Sequence, residues 1–556
     1  MSADPRRSAR WLGFGLLALL VGLAWANGLD GAFTYDDKVE VVGNRTIRTL
    51  EQWNAVLGYN ASRPLVILSW ALDWRLWGLE PMGYHAVNVL IHALNAGLVF
   101  LLGEELGRRM NLTRPMAPAL AAAALWALHP MTTEAVTYIT GRSESLCATL
   151  YLAAVLCWLR WRRGADAFQL LLALLAFLLA AATKEVAATI PATLLAIELL
   201  LPSEGPSERR RWLGLAPFWA LLAAGAVARK LLYGVFTTDL QLRTLDVQIA
   251  TQAEVLLRYL QLWLLPVGQS VFHDHPPAAG LLDPRALFSA AVLVAGLAFT
   301  LWQRRERPWL ALGAAWFLLL LAPSSSIVPL KETMAEHRAY LAGWGLCFMV
   351  VVSLTPALAA RRRMAIAAAA LACLVLGAGT HLRNRAWQSE VTLWQDAVEG
   401  NPESAEAWYG YADAQRFSGS FDGAILGYQR AVELDDLFLD AWNNLGIALA
   451  EQGRIEEARR TWLSTLERHP TYCRAHNNLG WLYYRQRKWE DATAEFRTTL
   501  VYCPQNTQAH FALGNIYYGP RRDPQRALHH YHAVLEIDPA FAERPLIEER
   551  ERQLTF

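Results

Sequence analysis

Six short stretches of this chain carry three arginines each, and long apolar runs lie between them. The clusters are Arg6, Arg7 and Arg10; Arg108, Arg109 and Arg114; Arg160, Arg162 and Arg163; Arg209, Arg210 and Arg211; Arg304, Arg305 and Arg307; and Arg361, Arg362 and Arg363. Apolar runs of membrane length restrict a chain to helices, because lipid offers backbone polar groups no partner outside their own segment. Loops rich in arginine stay on the cytoplasmic side. If all six clusters face the cytoplasm, an even number of crossings must separate neighbours. Runs at 11–29 and 84–104, 117–131 and 144–160, 168–182 and 186–201, 212–232 and 285–302, 308–323 and 339–356, with a last run at 364–380, satisfy this. They predict about eleven transmembrane helices. The segment AEVLLRYLQLWLLPVG (253–268) is apolar too. A crossing there would invert everything downstream, so it is expected to be re-entrant or to lie on the outer surface.

The apolar content, 54% of 556 residues, is unevenly spread, and the long runs stop near residue 380. Two parts follow: a membrane part, 1–380, and a soluble part, 381–556. The formal net charge of +1 hides this split. No basic face suited to nucleic acid is present. Basic residues precede the first apolar run, but no A-x-A site closes it, so it reads as a retained helix with a cytoplasmic N-terminus.

The soluble part repeats itself. Ala412, Gly446, Gly480 and Gly514 are spaced by 34, as are Ala424, Ala458 and Ala492, with Ala527 following. Aromatics recur at Tyr428, Trp462, Phe496 and Tyr531, and prolines at Pro402, Pro470, Pro504 and Pro539. This resembles the tetratricopeptide repeat, about four copies over roughly 402–539, which stacks into an α-solenoid whose concave face binds extended peptide. The pairs Asn443–Asn444 and Asn477–Asn478 recur at equivalent positions. An amide both donates and accepts, so Asn444 and Asn478 are candidate acceptor-peptide contacts, or else repeat consensus that serves the fold. Cys473 and Cys503 begin and end one repeat. They are either a disulfide of an oxidising outer compartment or two free thiols.

Ionisable residues of the membrane part gather in what this topology makes the outer loops. Asp36 and Asp37 follow the first helix in GAFTYDDKVEVVGNRTI (31–47). His129, Glu134, Arg142 and Glu144 share one turn, Lys184 and Glu185 another, and Lys331, Glu336, His337 and Arg338 lie in the 324–338 loop. Charges near a bilayer are costly and tend to be paired or functional. A carboxylate can act as general base on a hydroxyl, and Lys or Arg can hold a phosphate leaving group. Such a site suits a lipid-phosphate donor. Each group also has a plainer reading. Asp-Asp after a helix can be a solvated turn, His129 a helix cap, Glu134–Arg142 a salt bridge, and Lys184–Glu185 an interfacial hairpin. His85 and His92, on one helix with Asn88, have no third metal ligand in view, and interhelical hydrogen bonding is the expectation.

The motifs RPL (63–65), GYHAVNVLIH (83–92), HPMTTEAV with GRSE (129–144), TKE (183–185) and AEHRAY (335–340), followed by the repeats, resemble the transmembrane and tetratricopeptide-repeat-containing family. The resemblance implies an all-α, GT-C type membrane bundle. It also implies a protein O-mannosyltransferase-like activity, in which a sugar, mannose in the family, passes from a polyprenyl phosphate to Ser or Thr of a protein. In that class an acidic pair in the first outer loop carries the general base, which points to Asp36 and Asp37. Arg142, Lys184, Lys331 and Arg338 become candidates for the donor phosphate, with His129, Glu134, Glu185, Glu336 and His337 in support. No metal or other cofactor is implied beyond the lipid-linked sugar itself. The repeats would face the lumen or periplasm and recruit the acceptor. An Arg- and Ala-rich composition points to a bacterial inner membrane and an undecaprenyl carrier. The competing reading is a non-enzymatic membrane scaffold that uses the repeats to gather proteins.

Overall fold

The computed structural model describes residues 5–202, 208–233, 243–325, 329–358 and 361–555. Within them the chain is helical, with no strand. It divides into two compact units, one ending at Gly400 and one beginning at Asn401.

The first unit contains α1 (Pro5–Ala24), α2 (Trp53–Tyr59), α3 (Pro64–Trp77), α4 (Pro81–Arg109), α5 (Met116–Ala127), α6 (Thr133–Val136), α7 (Arg142–Arg162) and α8 (Ala167–Ala181). These are followed by α9 (Ile190–Leu200), α10 (Glu208–Tyr233), α11 (Leu245–Leu264), α12 (Pro284–Trp302), α13 (Pro308–Leu321), α14 (Ala342–Leu358), α15 (Arg362–Arg383) and α16 (Glu390–Gly400). A helix stands at each of the eleven expected apolar runs. Five of the described helices (α1, α4, α10, α12 and α15) are long and apolar enough to cross a membrane. α5, α8, α13 and α14 are shorter apolar helices. The expected re-entrant segment belongs to α11, whose buried face includes Gln248, Thr251, Gln252 and Glu254. Part of the 324–338 loop, 326–328, lies outside the described residues, as do the side chains of Arg6 and Arg209–Arg211.

Close helix approach in the bundle depends on small residues. A Cβ on Gly313 of α13 would sit 2.7 Å from the Gly345 carbonyl oxygen of α14. Trp126, Trp158, Trp316 and Trp344 fill the centre. At one end of the bundle the arginine clusters of three loops meet carboxylates. Glu104 takes Arg10 at 2.9 Å and Arg108 at 2.7 Å. Glu198 takes Arg109 at 2.6 Å and Arg162 at 3.1 Å, all three nearly fully buried. The starts of α1 and the ends of α4, α7 and α9 therefore share one end, as the arginine spacing requires.

The boundary between the parts differs from the expected 380. Segment 381–400 belongs to the first unit. Trp387 and Leu393 are buried with Tyr138 of the bundle, and Ala32 N–H bonds the Gln388 carbonyl at 3.2 Å. α16 has the look of repeat helix, but its Leu393 packs with Tyr35, Tyr138 and Val271 of the first unit.

The second unit is an array of antiparallel pairs: α17 (Ala405–Phe417) with α18 (Phe421–Leu434), α19 (Leu439–Glu451) with α20 (Ile455–Arg468), α21 (Cys473–Arg485) with α22 (Trp489–Tyr502), and α23 (Thr507–Tyr518) with α24 (Pro524–Ile537). α25 (Arg544–Thr555) packs on α24. The repeat of glycine and aromatic has a steric cause. A Cβ on Gly446 would meet Trp462 at 2.3 Å, on Gly480 Phe496 at 2.7 Å, and on Gly514 Tyr531 at 2.6 Å. Each glycine admits the aromatic of its partner helix. Cys473 and Cys503 are bonded as a disulfide, with Cα atoms 6.1 Å apart.

Candidate active site

The two adjacent aspartates have opposite surroundings. Asp37 is fully buried. It accepts from Thr34 N–H at 3.1 Å, Thr140 N–H at 2.8 Å and the Thr140 hydroxyl at 2.5 Å. Burial pushes its carboxyl up to about 7 despite these donors. It ties the loop after α1 to the 128–141 turn. Asp36 is exposed. Tyr138 holds it from one side: the hydroxyl accepts from the Asp36 N–H at 3.2 Å and hydrogen-bonds its carboxylate. Partial burial, with Glu332 and Glu390 nearby, raises the Asp36 carboxyl above its ordinary value.

Tyr35, just before Asp36, adopts a left-handed backbone with φ of 52°. A non-glycine residue there is strained and needs a clamp. Glu390 of α16 supplies one. Its carboxylate accepts from Tyr35 N–H at 3.1 Å and from the Trp394 indole N–H at 3.1 Å, and pairs with Lys38 at 2.9 Å. The Tyr35 hydroxyl donates to Glu332 at 3.1 Å, and Arg338 pairs with Glu332 at 3.6 Å and bonds its carbonyl at 3.1 Å. Asp36 and Arg338 thus lie on one connected set of groups, at the end of the bundle opposite the buried Arg–Glu cluster.

Neighbouring groups are more closely paired. His337 meets Glu134 at 2.6 Å, and its backbone N–H bonds the same carboxylate at 3.0 Å. Burial pushes Glu134 up to about 7 and His337 down to about 3, so both favour their neutral forms. Lys184 pairs with Glu144 at 2.6 Å. Glu185 is exposed and bonds Arg63 at 3.4 Å, which joins the TKE turn to the RPL segment. Lys331 is exposed in the 324–338 loop.

Three expected site residues serve the fold instead. Arg142, a candidate for the donor phosphate, is completely buried. Asp73 pairs with it, Asn88 accepts at 2.6 Å and the Tyr84 carbonyl at 2.9 Å. No open face is left for a ligand. Glu134 is not its partner. His129 caps the turn after α5 by accepting from Met131 N–H at 3.2 Å, and stacks on Trp263 at 4.4 Å. Glu336 is buried and accepts from Gln269 at 2.8 Å, Ser270 N–H at 2.9 Å and His273 at 2.8 Å. It anchors the 264–283 segment. His85 and His92 make hydrogen bonds, to the Gly31 carbonyl at 3.1 Å and to Tyr340 at 2.7 Å.

The sequence reading passed over Tyr35, Tyr138, Glu332 and Glu390. Tyr35 lies inside the 31–47 stretch, Tyr138 between HPMTTEAV and GRSE, and Glu332 in the 324–338 loop. Glu390 lies in 381–400, which matches the repeat model yet packs with the first unit.

In the repeat unit the asparagines bond along the array. Asn478 donates to Asn443 at 2.7 Å, Asn443 to Asn444 at 3.1 Å, and Asn444 to Tyr409 at 3.0 Å and Asp413 at 3.1 Å. Their N–H groups already tie one repeat to the next.

The Tetratricopeptide repeat model matches residues 380–437, 415–472 and 477–542. Protein O-mannosyl-transferase Tmtc3 of Drosophila melanogaster is 26% identical over 457 residues, 68% of this chain and 48% of the relative. Human protein O-mannosyl-transferase TMTC3 is 26% identical over 489 residues, 76% of this chain and 52% of the relative. Drosophila Tmtc1 is 34% identical over a shorter stretch of 184 residues, 31% of this chain and 21% of the relative. The chain spans about half the length of the curated relatives it matches over most of its own sequence. Over most of its length, then, it is a homologue of proteins named as TMTC O-mannosyl-transferases.

Proposed function

We propose that this homologue of the O-mannosyl-transferases is a membrane glycosyltransferase that moves mannose from a polyprenyl phosphate to a Ser or Thr hydroxyl of a protein. The observation that supports this most is the division of labour between the aspartates. A general base must reach its proton, and Asp36 is exposed while Asp37 is spent on holding the loop. The raised Asp36 carboxyl is a better proton acceptor than an ordinary one.

The reaction is a single displacement with inversion. Asp36 takes the acceptor hydroxyl proton. The oxygen forms its bond to the anomeric carbon as the bond from that carbon to the phosphate oxygen breaks. The polyprenyl phosphate leaves with the electron pair. Arg338, Lys184 and Lys331 are the cations proposed to stabilise that leaving group; the first two share carboxylates that can release them to a phosphate. Glu134, His337 and Glu185 hold these turns in place.

The proposed sidedness follows the arginine-rich end, which we assign to the cytoplasm. Asp36 then faces the periplasm or lumen, with the repeats there to recruit the acceptor. An undecaprenyl carrier in a bacterial inner membrane is the form of donor we favour.

The test is transfer of radiolabel from polyprenyl-phosphate-mannose to membrane proteins by the purified chain in detergent. Label in protein with the wild type and none with Asp36→Asn supports the reading. Equal transfer by Asp36→Asn removes this carboxylate from catalysis. No transfer from any lipid-linked sugar, with the repeats still capturing proteins, favours the scaffold.

A further inference from the structure

The 34-residue spacing of the array runs back past its first full helix pair. Trp394 of α16 stands 34 residues before the repeat aromatic Tyr428, and Ala397 stands 34 before Ala431. By sequence, then, α16 is the second helix of a repeat, and the repeat match begins at 380. One position breaks the pattern. Ala424, Ala458 and Ala492 are fully buried in the array, and the place 34 before Ala424 is held by Glu390. A carboxylate at such a buried position is costly. α16 packs with the first unit instead, and there Glu390 meets the loop after α1.

What it holds is the backbone just before Asp36. Its Oε2 accepts from the Tyr35 N–H and pairs with Lys38, while its Oε1 accepts from the Trp394 indole. The Trp394 ring sits between Tyr35 and Phe272, with centroids 5.9 and 6.2 Å away. On the other side, the Asp36 carbonyl accepts from Val39 N–H at 3.0 Å and Glu40 N–H at 2.8 Å. The backbone is thus fixed both before and after Asp36, while the Asp36 residue is exposed. The left-handed Tyr35 would relax without a partner for its N–H, and a charge-assisted bond is strong enough to keep it.

We infer that Glu390 is a positioning residue for Asp36: through the Tyr35 N–H and Lys38 it keeps the loop in the backbone conformation that presents Asp36 to an acceptor hydroxyl. The inference rests on the transferase reading above. It adds that a helix built on the repeat pattern serves the site, through the one residue that departs from that pattern.

Hydrogen exchange and transfer from polyprenyl-phosphate-mannose, both on the full-length chain in detergent, test this. Glu390→Ala installs the residue of the other repeats, so α16 keeps its helix. Exchange in 32–40 should rise about tenfold while exchange in α4 stays as it was. The kcat should fall between about tenfold and about hundredfold, with the donor KM unchanged. Glu390→Gln keeps an acceptor for the Tyr35 N–H and should restore most of both. Gln395→Ala, which loses only a bond to Glu399 on the exposed side of α16, should change neither. Faster exchange in 32–40 with undiminished kcat would overturn the inference and leave the transferase reading standing. Unchanged exchange, or a Glu390→Gln protein as impaired as Glu390→Ala, would overturn it too. A wild type inert toward every lipid-linked sugar, with 32–40 still released by Glu390→Ala, would sink the transferase reading and uphold the grip on the loop.

Discussion

Thr140 gives both its backbone N–H and its hydroxyl to a single oxygen of Asp37, at 2.8 and 2.5 Å. That grip assigns adjacent, chemically identical side chains to different work. Asp36→Asn should leave the melting temperature of the purified protein within the range of a surface change and abolish transfer. Asp37→Asn should lower it, because the new NH2 group meets an N–H donor at Thr34 or Thr140. The loss is about 1–3 kcal/mol. A pair of variants with equal thermal stability would contradict this separation of roles.

The same burial makes stability depend on pH. The Asp37 carboxyl stands raised to about 7 in the fold. A raised carboxyl favours the protonated form, so its contribution is full below the unfolded value of 3.8 and is lost as pH rises through about 7. The advantage in melting temperature of wild type over Asp37→Asn should therefore narrow from about pH 4 to about pH 7. Calorimetry across that range decides it, and a flat difference would count against a buried, reluctant carboxylate.

Arg142 and Arg338 should fail in different ways. Arg142 is enclosed by Asp73, Asn88 and the Tyr84 carbonyl. Its removal as Arg142→Ala strands the Asp73 carboxylate and should cost about 3–5 kcal/mol, seen as loss of folded protein. Arg338→Gln should fold and raise the donor KM or lower kcat. A folded Arg142→Ala protein with only a donor defect would return Arg142 to the site.

The disulfide between Cys473 and Cys503 joins residues 30 apart. Replacing both cysteines by serine should destabilise the repeat unit by about 3 kcal/mol through freedom regained in the unfolded chain. Hydrogen exchange should show the loss in α21 and α22 first. Uniform exchange in both proteins would mean the link adds nothing to this fold.

Periodic features were readable from the sequence because each repeats a simple cause. The 34-residue spacing of Gly446, Gly480 and Gly514 marks places where an aromatic needs room. The first three arginine clusters mark one end of the bundle. Single long-range partnerships were not readable. Asp73 lies 69 residues before Arg142, and nothing periodic links them. Glu390 reaches Tyr35 across 355 residues. Apolar runs end near 380 and the repeat match begins there, whereas the packing of the first unit runs on to Gly400. Hydrophobicity reports the solvent of a helix and not which neighbours it joins. The fate of His129 had the same root: a cap and a base use the same imidazole, and only the neighbours tell them apart.

The buried Arg–Glu cluster also bears on how the chain is made. Glu198 meets Arg109 and Arg162, both synthesised before it, and Glu104 finds Arg10 waiting and Arg108 four residues on. Neither carboxylate must linger unpaired near lipid until some much later helix emerges. The amino-terminal helices can thus close on one another while the ribosome is still working, and the loop that presents Asp36 has one wall of its socket in place before the last third of the protein exists.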